Sequence, residues 1–315
     1  MSPYEGQTFF GFFSQLFIRL WHSVSSSDFS LASDEIQILA LVGIAISSAL
    51  VGSFLVLRKM TMVGNALSHT ILLGILITFL MTRESILGEI TYHKAEPMHI
   101  QSLLLASLGV GLLTAFLTET LHRKLRLQED ASIGFVFTTL FALGVTLATL
   151  LTRNSHIGTE IVMGSVDALQ TEDLKLVWVI AAMNLVLTLL FYRGFLITTF
   201  DARLAAMLGF SATFFNYLLM AQVSATVVGA FRAVGVLMVL TFLTGPVLAA
   251  RFLTHNLNRL IILAIVLGSA CSVIGVALSR HFLSVYGLSL STGGIVVCVM
   301  TLVFAVTALV KHAKG

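Results

Sequence analysis

Charge, proline and cysteine are all scarce in this chain of 315 residues. Only 10% of the residues are charged, three are proline and two are cysteine, against 57% that are apolar. That excludes an ordinary soluble domain and marks an integral membrane protein. No polar segment is long enough to fold as a separate soluble domain. Both cysteines, Cys271 and Cys298, lie inside apolar runs. They read as small packing residues and not as a disulfide or a thiolate metal site. The net charge of +3 gives no ground for a nucleic-acid partner. No Gly-x-x-x-x-Gly-Lys-Ser/Thr pattern occurs, so ATP hydrolysis by that route belongs elsewhere. No His-Glu-x-x-His pattern occurs either, which argues against a metal-dependent hydrolase embedded in the membrane. Carboxylates are almost absent from the apolar runs, Glu119 near one inner end being the exception. A proton-driven secondary metal transporter would want several there. The N-terminus lacks a basic region followed by a small-residue cleavage site, so no cleavable signal peptide is expected.

Apolar stretches of close to the twenty residues a bilayer demands remain. They fall at about 36–57, 60–81, 101–121, 131–152, 173–193, 212–230, 233–251, 260–279 and 293–310. The fold expected is all-α and polytopic, with eight or nine transmembrane helices. The run 217–250 would measure about 51 Å as one helix, too long for one span. A break is expected at Gly229-Ala230-Phe231-Arg232-Ala233, and a kink at Gly245-Pro246. Residues 1–35 form an N-terminal extension whose aromatic segment, Phe9 to Trp21, is short for a span. It reads as an interfacial helix, the alternative being an extra short span. Residues 36–311 form the transmembrane domain.

Alternation of spans, with the first running outside to inside, puts the C-terminus in the cytoplasm. Eleven of eighteen cations then lie inside: Arg58, Lys59, Arg123, Lys124, Arg126, Arg193, Arg203, Arg251, Arg259, Lys311 and Lys314. That bias is the one that sets orientation. Eleven of the fifteen acids fall outside, where they would concentrate metal cations.

One stretch organises the reading: Arg58 to His69. Two cations open it, and His69 follows Lys59 by ten residues. That is roughly 15 Å of helix, near the middle of a hydrocarbon core about 30 Å thick. Asn65 lies one turn before His69, so both point the same way. Such a pair either bonds a neighbouring helix or faces a translocation path. Imidazole suits zinc, manganese or iron, and an amide oxygen is a weak companion donor.

Two connectors stand out. The external stretch Asn154 to Leu174 has an apolar centre too short to span, and a partly re-entrant course suits it. Within it His156 and Glu160 lie four apart, and with Met163 they are candidates for an outer gate or capture site. Looser is the external group His93, Glu96 and His99, which reads first as a solvated loop. The cytoplasmic connector runs from Asp201, a good N-cap, to Gly209, a good C-terminal stop. Leu204, Ala205 and Leu208 stand out among its apolar residues. It is either a surface helix at the bilayer interface or a knob that docks into a soluble partner.

Several of these motifs, in order, resemble the permease subunits of metal-ion ABC importers. Phe54-Leu55-Val56-Leu57-Arg58-Lys59-Met60 with Gly64-Asn65-Ala66-Leu67-Ser68-His69 resembles that family's signature. Asp130 to Gly134 with Phe141 to Val145, Met163 to Leu174, Phe200 to Gly209, and Val234 to Arg251 resemble later segments. The likeness covers about residues 36–311, and is similar to chlamydial-type systems that use two unlike permeases. It implies a second permease, an ATP-binding cassette subunit moving the coupling helix at 201–209, and an extracytoplasmic metal-binding protein. It implies a transported divalent ion (manganese, zinc or iron), no permanently bound cofactor, and a bacterial inner membrane. A vitamin or siderophore permease would share helix count and coupling helix but lack the Asn65/His69 pair. The family's central site is an Asp and a His four residues apart. Here the carboxylate position is Asn65, so the negative charge must come from elsewhere. A second, different permease carrying the Asp would supply it.

Overall fold

The computed structural model describes residue 4 and residues 9–25, 32–87, 100–152, 166 and 169–314. Among them there is helix and no strand. The helices are α1 (Phe9–Ser25), α2 (Ser33–Leu57), α3 (Thr61–Leu87), α4 (Ile100–Lys124), α5 (Glu129–Thr152) and α6 (Thr171–Leu190). They continue with α7 (Tyr192–Phe200), α8 (Ala202–Met207), α9 (Ala212–Leu253), α10 (Leu257–Tyr286) and α11 (Thr292–Lys314). Among the described residues, six helices have a stretch long and apolar enough to cross a membrane: α2, α5, α6, the first part of α9, α10 and α11. Two shorter apolar helices, Leu108–His122 and Met238–Leu253, lie within α4 and the end of α9. α3 is 27 residues long.

α2 is central: 83% of its most apolar window is buried, against 17% for α11 at the periphery. It packs against α6, α9 and α10, while α3, α4 and α5 form a second group joined to the first through α9. With lipid as apolar as leucine, close packing of small residues holds such helices together. A Cβ at Gly52 of α2 would lie 2.1 Å from the backbone oxygen of Leu243 on α9. Buried side-chain bonds add to the packing. The Asn184 amide of α6 donates to Ser47 Oγ of α2 and to Thr226 Oγ1 of α9, both at 2.7 Å.

The long apolar run does break, but at Gly235 and not at 229–233. Gly235 has φ 73° and ψ 170°, a conformation that side chains exclude. Gly229 stays helical for a different reason. A Cβ there would meet Ile180 Cδ1 at 2.4 Å, so it is the close approach to α6 that calls for glycine. Pro246 lies inside the helix, and among the described residues of α9 the non-helical dihedrals are those of Gly235. The two parts of α9 fold back on each other. Asn216 bonds Arg58 at the end of α2, and Thr226 meets Ser47 midway along it. Leu243 then returns to Gly52, and Val247 and Ala250 cluster with Val56.

At the opposite end of α2, charges are paired. Arg280 of α10 binds Asp34. The Tyr4 hydroxyl donates to Glu35 Oε1 at 2.7 Å, and Arg19 Nε donates to the same oxygen at 2.6 Å. These bonds fasten the N-terminal extension to α2, and α1 rests on α10. α1 buries Phe12 and leaves Phe10 and Phe17 exposed.

Candidate functional site

α3 begins soon after Arg58. The turn between the helices is tight, with Lys59 at φ 62° and Met60 N–H donating to Leu55 O at 3.0 Å. Along α3, Gly64, Ala66, Leu67, Ser68 and Thr70 are buried. Asn65 and His69 are only partly so. The i, i+4 pair therefore lies half-buried on one face of α3. The polar residues beside it are already occupied. Ser68 Oγ donates to Gly64 O at 2.7 Å, and Thr114 Oγ1 of α4 donates to Thr70 Oγ1 at 3.2 Å.

His69 is held by two rings of α5. Its centroid lies 5.3 Å from Phe137 and 5.4 Å from Phe141. Its Nδ1 is buried and has no hydrogen-bond partner among the described residues. Leaving such an atom unpaired costs about 1–3 kcal/mol, so a ligand or a bond from outside the protomer would be favoured there. Among the described residues, no group of three or more His, Cys, Asp or Glu side chains converges as a metal site. His69 and Asn65 can offer one nitrogen and one amide oxygen, too few to hold a divalent ion alone.

The second element lies beyond the end of α2, where Arg58 meets residues on either side of α8. Asp201 caps α8, its Oδ1 accepting from the N–H groups of Arg203 at 2.9 Å and Leu204 at 3.0 Å. Gly209 closes it at φ 83°. Phe210 N–H donates to Ala205 O at 2.8 Å and Gly209 N–H to Ala206 O at 3.2 Å, a Schellman ending. Ala205 is buried against the bundle, whereas Leu204, Met207 and Leu208 project outward. Met207 is 86% exposed and is the residue that sequence reasoning passed over. Met207 thus stands in the outward position and Ala205 in the inward one. His156, Glu160 and Met163, like His93, Glu96 and His99, lie outside the described residues.

Residues 35–311 match the ABC 3 transport family. The chain belongs to that family. This ABC 3 protein is 38% identical over 314 residues to a "Probable metal transport system membrane protein" of Chlamydia pneumoniae, covering 100% of this chain and 94% of the relative. It is 34% identical over 285 residues to the manganese transport system membrane protein MntD of Bacillus subtilis, covering 86% and 90%. Among solved structures it resembles PsaBC from Streptococcus pneumoniae in complex with Fab. The TM-score is 0.70 at 25% identity, covering 87% of this chain and 90% of the other. The chlamydial match reaches into the N-terminal helix, whereas the family match starts at residue 35, in the first turn of α2.

Proposed function

We propose that this ABC 3 protein is the membrane-spanning permease subunit of an ABC importer that moves divalent metal ions into the cytoplasm. Family membership supports the class of machine, and the metal and manganese transport relatives support the cargo. The observation that carries the site is His69: half-buried on α3 one turn from Asn65, with a buried Nδ1 that has no hydrogen-bond partner among the described residues. A second permease laid against that face would bring a second His and a carboxylate to the ion. A pair of unlike permeases fits best, because Asn65 leaves this half of the site without a negative charge. ATP hydrolysis belongs to a separate cassette subunit that grips Leu204, Met207 and Leu208. An extracytoplasmic metal-binding protein delivers the ion at the opposite end. In this reading α8 and Arg58 lie on the cytoplasmic side of a bacterial inner membrane, with the C-terminus, and the clustered cations follow the positive-inside rule. Manganese, iron and zinc all suit a nitrogen-plus-oxygen site.

The test is reconstitution. With its cassette subunit, second permease and binding protein in proteoliposomes, the chain should support ATP-driven uptake of free Mn²⁺. ATP-driven uptake of a vitamin or a siderophore, with none of Mn²⁺, Fe²⁺ or Zn²⁺, would overturn the proposal.

A further inference from the structure

Arg58 first reads as one of many cations marking the inner side of a span. A topological marker of that kind would reach water or headgroups. Arg58 instead folds inward. Its Nε donates to Thr199 Oγ1 at 3.0 Å, one Nη to Thr198 Oγ1 at 2.7 Å, and the other Nη to Asn216 Oδ1. The guanidinium carbon lies 6.0 Å from the Phe195 ring centre. No carboxylate pairs with it among the described residues. Burial alone pushes its pKa down to about 10, which still leaves it charged at neutral pH. A buried cation held only by neutral acceptors is costly, so its geometry must be well satisfied. Thr198 is oriented to accept from it. The Thr198 hydroxyl donates to Gly194 O at 2.7 Å, which turns its lone pairs toward Arg58.

The positions of the three acceptors give the arrangement its meaning. Thr198 and Thr199 close α7, immediately before the Asp201 cap of α8. Asn216 lies in the first turns of α9, soon after the Gly209 stop. Both flanks of the docking helix are thus fastened to one side chain. That side chain is the C-cap of α2, and the tight turn at Lys59 and Met60 leads directly into α3. We propose that Arg58 is a positioning residue that joins the two flanks of α8 to α3, so that movement of the docking helix reaches His69 and Asn65. The inference rests on the docking role given to α8 above. A lysine could keep the charge but could not span three acceptors in one plane.

The experiment counts metal ions moved per ATP hydrolysed by the complete complex in proteoliposomes. Arg58→Lys, and separately the pair Thr198→Val with Thr199→Val, should lower that ratio at least tenfold. ATP hydrolysis and the melting temperature of the assembled complex should stay near the unsubstituted values. A purely structural role would instead lower assembly, hydrolysis and transport together, and that result overturns the proposal. So does an unchanged ratio. If the Arg58→Lys complex does not assemble, the threonine pair decides. Leu204→Asp is run alongside. Should Leu204→Asp leave the ratio intact, the docking role of α8 falls. Should it uncouple while the Arg58 and threonine variants do not, only the role of Arg58 falls.

Discussion

Arg58 and His69 are close in sequence and opposite in surroundings. The Arg58 guanidinium gives hydrogen bonds to Thr198, Thr199 and Asn216, all within one protomer. The His69 ring meets two phenylalanines, and its buried Nδ1 meets no acceptor or donor among the described residues. One region is complete as the chain folds. The other is left incomplete, at a cost of about 1–3 kcal/mol for an unpaired buried polar atom. In a purely structural protein that cost would be a defect. In the transport path proposed for it, an ion could bind there and leave again.

The difference can be broken at either side. The largest effect is expected from His69→Ala, which should cut Mn²⁺ uptake by the reconstituted complex at least a hundredfold, about 2.7 kcal/mol in barrier terms. Co-purification with the cassette subunit should be unchanged. Uptake at the normal rate would remove the imidazole from the path. On the completed side, Gly52→Val should do damage of another kind. The added carbons would strike the backbone oxygen of Leu243, and overpacking of that sort costs about 3 kcal/mol. The purified chain should then melt markedly lower in detergent, and an unchanged melting temperature would mean α2 and α9 are not so close. The smallest effect sharpens the comparison instead of breaking it. Asn65→Asp supplies the missing charge and should tighten Mn²⁺ binding to the assembled permease pair about tenfold, or roughly 1.4 kcal/mol, by titration. Equal affinity would place position 65 away from the ion.

Local chemistry was readable in the sequence. Asp201 and Gly209 bracket a helix because a carboxylate can cap N–H groups and glycine can turn left-handed, and both do so. The pairing of Asn65 with His69 follows from helical periodicity, and both are half-buried residues of α3 one turn apart. What depends on distant partners was hidden. Gly229 and Gly235 stand in one apolar run, and composition favoured a break beside Arg232. Only contact with Ile180 explains why a glycine stands at 229 within continuous helix. Ala205 and Met207 look alike as apolar residues of a short helix, yet one is an anchor and the other a knob. The acceptors of Arg58 lie in α7 and α9, far along the chain, and no local pattern announces them.

The fold-back at Gly235 has one more consequence. As a single rod, the 42 residues of α9 would extend about 63 Å, twice the thickness of the oil they cross. Bent at one residue, they become two legs with no slack at the knee. The leg that starts at Ala212, soon after α8, is therefore joined to the returning leg without a loop, and Gly235 is the one residue among those described in α9 that sets the angle between them.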